Sequence, residues 1–283
     1  MNKVELKKPE KTYHAYSALS KTAIEKILRC PLEYKLDRDN PQPPTPAMAF
    51  GTLVHSVILE PETVDAKYHV MTCSAATREG KAEKAEALEQ GKTIVSQADW
   101  DKAQAMLANV RAHQACSWLM SLPGESEVSM AWELETDDGF VRQCKGRADR
   151  IARLPEGRII IDVKTTSGIV SREELERTAY KWGWHRQSGW YGDGYSRLYR
   201  DSLLGFYFLC ISTQAPYLCS AVKMSDQASL IGLEDCYRAE KILRKCEETD
   251  IWPSYADELV EIDLPSWAYR KIAEDIDIPS VPF

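Results

Sequence analysis

Ile159-Ile160-Ile161-Asp162-Val163-Lys164-Thr165-Thr166 sets an acid and a lysine two residues apart at the end of an apolar, β-branched run. Side chains at i and i+2 of a strand project from one face. Asp162 and Lys164 therefore share a side, and Ile161 and Val163 pack on the other. A carboxylate fixed beside an ammonium suits metal-assisted phosphodiester chemistry, in which the acid holds a divalent cation and the amine offsets developing negative charge. The spacing acid-x-Lys occurs five times in the chain, at Glu5/Lys7, Glu33/Lys35, Asp65/Lys67, Glu79/Lys81 and Asp162/Lys164. Only the last terminates a strand-like run, so only there does geometry bring both groups to a sheet edge.

The period of two extends upstream. Val128 to Leu134 reads as a strand, Asp137-Asp138-Gly139 as a hairpin turn, and Phe140 to Ile151 as the return strand. Pro155-Glu156-Gly157 turns the chain into the Ile159 strand. That turn lies midway between Asp149 and Asp162, which places the two acids on neighbouring strands at similar height. Two carboxylates there would serve a hard divalent ion, which needs several oxygen ligands. The alternative is that Asp149 merely pairs with Arg147 or Arg150.

Helical patterns surround this hairpin set. Residues 17–38 form a helix capped by Ser20 and interrupted at Pro31, and Pro41 to Pro46 is a connector. A helix follows from Ala47 to Leu59, another over Thr77–Gln90, and one over Asp99–Leu122. Glu173 to Arg197 reads as one helix despite Gly183 and Gly189. Leu203–Ser212 and Tyr217–Met224 are strands, and Asp226–Cys246 is a long helix. The expected fold class is α/β, with a mixed central sheet flanked by helices and a helical N-terminal part. Residues 1–12 are expected as a flexible N-terminus and 13–283 as one domain.

With 283 residues, 44% of them hydrophobic and 28% charged, the composition is that of an ordinary globular chain. No apolar run reaches the ~20 residues of a membrane span, and residues 1–12 lack a secretory apolar core, so a cytoplasmic protein is expected. The eight cysteines include no Cys-x-x-Cys pair, which argues against a zinc ribbon or a disulfide framework. The net charge of −7 is unusual for a nucleic-acid protein. Charge acts locally, however, within a Debye length of ~8–10 Å, and Arg142, Lys145, Arg147, Arg150 and Arg153 make one hairpin basic.

His55 stands on an apolar helix one turn after Gly51, where a satisfied core histidine is the bland reading. Gln187 and Tyr191, four apart, share a helix face. Gly51…His55, Gly146…Asp149, Asp162-Val163-Lys164 and Gln187…Tyr191, in that order, resemble the PD-(D/E)XK nucleases of the RecB type, and Leu28-x-Cys30-Pro31-x-x-Tyr34 is similar to their N-terminal element. Within that superfamily the chain most resembles the RecE (exodeoxyribonuclease VIII) nuclease group. Tyr16-Ser17-Ala18-Leu19-Ser20-Lys21, Phe50 to His55 with Leu59-Glu60-Pro61, Gly91-Lys92-Thr93, Asp162 to Thr166, Tyr191-x-Asp193-Gly194-Tyr195 and Trp252-Pro253 carry the likeness, over about residues 13 to 270.

The resemblance implies the PD-(D/E)XK fold and a metal-dependent exodeoxyribonuclease on linear double-stranded DNA. It would digest 5′ to 3′ and leave 3′ tails for a RecT-like annealing protein in prophage recombination. It implies Mg²⁺ or Mn²⁺ held by His55, Asp149, Asp162 and the Val163 carbonyl, and Lys164 acting on the nucleophilic water. Gln187 and Tyr191 would organise the lysine and the DNA backbone, and an acid near Glu127 or Glu133 would assist. A ring-shaped homotetramer is implied, with only its lumen basic, and Arg78, Lys81 and Arg147 are expected DNA contacts. No iron–sulfur cluster is expected, because the late cysteine group of the cluster-bearing relatives is missing. ATP binding is not expected either, since Gly91-Lys92-Thr93 lacks the earlier P-loop glycine and has Glu86 there. A structure- or sequence-specific endonuclease of the same fold, and a catalytically silent DNA-binding module, stand as alternatives. The first would cut closed circular DNA. The second has no need of the whole Asp149/Asp162/Lys164 set.

Overall fold

The computed structural model describes residues 3–6 (backbone only), 12–13, 16–74, 76–136, 138–256, 258–266 and 268–269. Its centre is a six-stranded mixed sheet. The strands are β1 (Lys3–Leu6), β4 (Gly124–Glu135), β5 (Val141–Leu154), β6 (Gly157–Thr166), β7 (Leu203–Ser212) and β8 (Cys219–Lys223), side by side in that order. Only β6 and β7 run parallel; the other neighbours are antiparallel. Two short parallel strands, β2 (Tyr68–Val70) and β3 (Thr93–Val95), form a separate pair.

The helices are α1 (Lys21–Arg29), α2 (Pro31–Asp39), α3 (Pro46–Leu59), α4 (Val64–Lys67), α5 (Arg78–Glu89), α6 (Gln97–Ala112), α7 (Gln114–Ser121), α8 (Arg172–Lys181), α9 (Trp184–Leu198) and α10 (Asp226–Thr249). Among the described residues no helix is long and apolar enough to cross a membrane.

Strand β6 shows why the sheet is central. Ile159, Ile160, Ile161 and Val163 are all fully buried. Ile160 packs with Ile24, Ile27, Trp190 and Leu243, from α1, α9 and α10. Ile159, Ile161 and Val163 pack with Val54, Val57, Met106 and Leu119, from α3, α6 and α7. A strand covered on both faces reads as a continuous apolar run, and each buried aliphatic side chain contributes about 1.5–3 kcal/mol. The alternation assigns Asp162 and Lys164 to the α9 face.

Several expectations are corrected. Lys3–Leu6, taken as part of a flexible N-terminus, forms β1 and pairs with β4; residues 1–2 and 7–11 lie outside the described residues. The Asp99–Leu122 helix is two helices, because His113 takes an extended conformation and caps α7 with its ring. The Glu173–Arg197 helix is also two. Gly183 breaks it with φ +62, and a Cβ there would meet the Glu25 carboxylate at 2.0 Å. Glycine alone combines that backbone with that close approach. The Tyr217–Met224 strand starts two residues late, since Tyr217 itself has φ +61. Of the Asp137-Asp138-Gly139 turn, Asp137 lies outside the described residues and Gly139 has φ +81, as a tight turn requires.

Candidate active site

The two hairpin acids meet at a fault in the sheet. The β5–β6 ladder runs from Leu154–Gly157 to Arg150–Ile161 and stops one step before Asp149 would face Asp162. There the Asp149 carboxylate accepts a hydrogen bond from the Val163 backbone N–H at 2.8 Å. The other side of Asp149 is irregular too. Glu127, the residue that would pair with it on β4, is skipped between Ser126–Arg150 and Val128–Ala148 and has φ +56. A non-glycine residue in that region costs roughly 1–2 kcal/mol. The ladder is thus interrupted on both sides of Asp149, whose carboxylate reaches the Val163 amide at the fault.

His55 reaches the same fault from α3, on the opposite face from α9. Its Nδ1 lies 3.3 Å from Asp149 Oδ2, and its ring hydrogen bonds to the Val163 backbone. Burial pushes the imidazole down to about 4, outweighing the attraction of the Asp162 charge. At neutral pH the ring is uncharged, even with 29% of the side chain open to the cleft. Gly51, one turn earlier, faces Thr165, but a Cβ there would sit at an ordinary 3.6 Å from Thr165 Oγ1, so contact with the sheet does not require glycine.

On the α9 face, Gln187 bridges the central pair. Its Nε2 donates to Asp162 Oδ1 at 2.5 Å, and its Oε1 accepts from Lys164 Nζ at 2.8 Å. Lys164 Nζ also lies 2.6 Å from Asp162 Oδ2 and over the Phe208 ring. Tyr191, one turn on, fills the space that Gly146 leaves: a Cβ at Gly146 would stand 2.9 Å from Tyr191 Cε1. This close approach accounts for glycine three residues before Asp149. Burial drives the Tyr191 phenol far above its ordinary range, so it stays neutral. Helix α9 is fixed on the sheet by Trp190, whose indole N–H donates to the Lys145 carbonyl at 3.1 Å.

These residues line one cleft of about 520 Å³. His55, Asp149, Asp162, Lys164, Gln187, Tyr191 and Arg147 all reach it, whereas Val163 is not on its walls and touches the site through its backbone N–H to Asp149. Arg78 and Lys81 do not: they stand exposed on α5, outside the cleft walls. Sequence reasoning missed Lys21, Lys26 and Arg38 on those walls, and counted Lys145 only within a basic hairpin. The position of Lys145, two before Arg147 on one strand face, was the available signal; the other three depend on how α1 and α2 pack.

The alternative partners of Asp149 are engaged elsewhere. Arg147 Nε lies 2.6 Å from Glu127 Oε2, and Arg150 donates to Ser126 Oγ and the Leu122 carbonyl. Among the described residues, Asp149 thus has no arginine paired with it. Burial, then the neighbouring Asp162 and Glu127 charges, raise its carboxyl well above the usual range, against the pull of Lys164 and the Val163 amide. Burial raises Glu127 as well. Glu133, the other acid considered, pairs with Gln143 Nε2 at 3.1 Å and lies outside the cleft walls.

This is the electrostatic pattern of a cation site: two neighbouring carboxylates, one of which, Asp149, is costly to ionise without added positive charge. Asp162 Oδ2 is buried as well, and it is faced by the Lys164 ammonium at 2.6 Å without a well-aligned hydrogen bond. Carboxylate oxygens, a neutral imidazole and a backbone carbonyl make a donor set that fits Mg²⁺ or Mn²⁺.

Residues 20–263 match the model of a family described as a PDDEXK-like domain of unknown function (DUF3799). A solved structure from Eubacterium rectale, described as a "Putative exonuclease", superposes with a TM-score of 0.63 at 13% identity, covering 96% of this chain and 99% of that one. At that identity the likeness speaks to the fold alone. Two others are too distant to carry an argument. SSO0001 has 17% identity and a TM-score of 0.28, over 66% of this chain and 85% of that one. VC1899 from Vibrio cholerae has 10% identity and a TM-score of 0.23, over 88% and 58%. No curated protein sequence matches the chain.

Proposed function

Because the chain belongs to the PDDEXK-like family, we propose that it is a metal-dependent exodeoxyribonuclease acting on linear double-stranded DNA. The observation that carries this reading is the clamp in which Gln187 holds Asp162 at 2.5 Å and Lys164 at 2.8 Å, beside a second carboxylate, Asp149, whose ionisation burial disfavours. Asp149, Asp162, His55 and the Val163 carbonyl would hold Mg²⁺ or Mn²⁺. Bound there, the ion would offset charge on the scissile phosphate and lower the proton affinity of the attacking water.

The chain's own groups do the remainder. Lys164, fixed by Asp162 and Gln187, directs its ammonium at the phosphoryl oxygens where negative charge builds. Gln187 and Tyr191 orient Lys164 and the strand. His55, neutral at pH 7, offers a lone pair instead of a competing charge. Lys21, Lys26, Arg38, Lys145 and Arg147 supply the positive wall that an acidic chain needs to admit a polyanion. Contacts to phosphate fix register without reading bases, which suits digestion of any sequence.

The resemblance to the RecE group extends the proposal. Digestion runs 5′ to 3′, and the 3′ tails pass to a RecT-like annealing protein in the cytoplasm. The working unit is a ring-shaped homotetramer with a basic lumen, where Arg78 and Lys81 would meet phosphates. Linear and covalently closed circular duplexes test the exonuclease reading. Release from the linear form alone supports it, and cutting of the closed circle overturns it in favour of an endonuclease.

A further inference from the structure

The joint between α6 and α7 brings together three metal-binding side chains that the cleft does not use. His113 caps α7, its Nδ1 accepting the Cys116 N–H at 3.3 Å. Cys116, one turn inside α7, is fully buried in the apolar layer between that helix and the sheet. Cys219 opens β8, half-buried at the sheet edge, with its Sγ 3.6 Å from the Asn109 carbonyl at the end of α6. One ligand atom from each of the three lies within 4.8 Å of the others, and among the described residues no other trio of His, Cys, Asp or Glu is gathered so closely.

Apolar packing alone does not call for this arrangement. A buried thiol serves as a small hydrophobe, with no need for a second thiol and an imidazole against it. The scaffold around them is specific. Asn109 Nδ2 donates to the Pro216 carbonyl at 2.7 Å and the Tyr217 carbonyl at 3.1 Å, tying the turn before β8 to α6. Tyr217 is held at φ +61, a left-handed backbone that an aromatic residue adopts only under constraint. These bonds fix where Cys219 enters, two residues later.

We propose that His113, Cys116 and Cys219 bind a borderline-soft divalent ion of the Zn²⁺ class through two thiolates and one imidazole, with the fourth position left to water. A tetrahedral ion with Zn–S of ~2.3 Å and Zn–N of ~2.0–2.1 Å needs its ligand atoms ~3.5–3.8 Å apart, which small side-chain rotations achieve here. On binding, two metal–sulfur bonds and one metal–nitrogen bond form, and the two thiol protons pass to solvent. If Nδ1 is the ligating nitrogen, the Cys116 cap bond is exchanged for the metal bond.

The site is chemically distinct from the cleft. Thr165, Ile211 and Cys219 are register partners across β6, β7 and β8, so the trio lies two strand spacings, about 10 Å, from the end of the catalytic strand. Thiolates select zinc-like ions, whereas the oxygen-rich cleft suits magnesium or manganese. A metal here would staple the α6–α7 joint to the sheet edge.

The test is titration of the reduced, metal-stripped full chain with Co²⁺, read by absorption. The site predicts thiolate-to-cobalt charge-transfer bands and intense tetrahedral d–d bands that saturate at a single equivalent. Zn²⁺ abolishes them, while excess Mg²⁺ and the Asp162→Asn substitution leave them unchanged. Cys219→Ser removes them, and His113→Gln weakens cobalt binding at least tenfold. Cys219 and His113 are not fully buried, so these variants test the site even where Cys116→Ser does not fold. Absence of a thiolate band, its persistence in Cys219→Ser, or a Cys116–Cys219 disulfide as the sole response overturns the proposal.

Discussion

The Asp149 carboxylate takes the Val163 backbone N–H at 2.8 Å, where a strand carbonyl of β5 would otherwise have paired with β6. A side chain thus replaces a rung of the sheet, and the slot it opens lets His55 reach the carboxylates from the opposite face.

That substitution makes Asp149 both a structural acceptor and a candidate ligand, and two variants separate the roles. Asp149→Asn keeps an acceptor for the Val163 amide and removes a carboxyl whose ionisation is disfavoured. It should be at least as stable as the parent at neutral pH, while metal-dependent nucleotide release falls more than ~100-fold, beyond the 10–100-fold of groups that only orient a ligand. Asp149→Ala leaves a buried amide unpaired and should be about 1–3 kcal/mol less stable than Asp149→Asn. Urea unfolding and release assays on both proteins check this.

Lys21 gives a pH signature. Burial first, then the Lys164 charge, pushes it down to about 8, with Glu25 at 3.9 Å offsetting only part. An unfolded lysine titrates near ~10.4. Between these values the unfolded chain holds a proton that the folded one has released, so stability rises with pH across that window. Below about 8 the full cost of the buried ammonium is present. Lys21→Met should therefore stabilise the protein at pH 7, by at most roughly 3 kcal/mol, less the lost bond to the Trp182 carbonyl at 2.9 Å. The advantage should shrink as pH rises through the window. Paired denaturation curves at neutral and alkaline pH measure the difference.

Gly146 and Tyr191 should behave as one unit. A methyl at Gly146 would sit 2.9 Å from Tyr191 Cε1, on a helix that Trp190 anchors to the same strand. Gly146→Ala should cost about 1–3 kcal/mol and lower release by displacing the phenol. Adding Tyr191→Leu should recover at least ~1 kcal/mol of that stability loss, since contacting residues are coupled. A double-mutant cycle in urea reads the coupling directly.

Much of this site was legible because strand arithmetic is rigid. The apolar run to Thr166 and the turn at Gly157 put Asp149 and Asp162 on neighbouring strands, and the i, i+4 rule put Gln187 and Tyr191 on one helix face. What escaped was set by tertiary contact. Periodicity does not reveal that His113 ends one helix and caps another, or that Gly183 is pressed against Glu25. The β5–β6 fault at Asp149 is matched on β4 by Glu127 in a left-handed backbone, which no glutamate advertises. Lys3–Leu6, a four-residue alternation too short to stand out in a lysine-rich start, forms a strand by pairing with the edge of β4. Arg78 and Lys81, expected as phosphate contacts, stand exposed on α5 outside the cleft, whereas Lys21, Lys26 and Arg38 reach it because of where α1 and α2 pack.

Nucleotide release from end-labelled linear duplex DNA, with Mg²⁺ and with EDTA, by the parent protein and by a folded Asp162→Asn variant, bears most directly on the two-carboxylate cation site beside Lys164. The account predicts release by the parent in Mg²⁺ alone and none by the variant under either condition. Release that survives EDTA, or that persists in the variant, would contradict it.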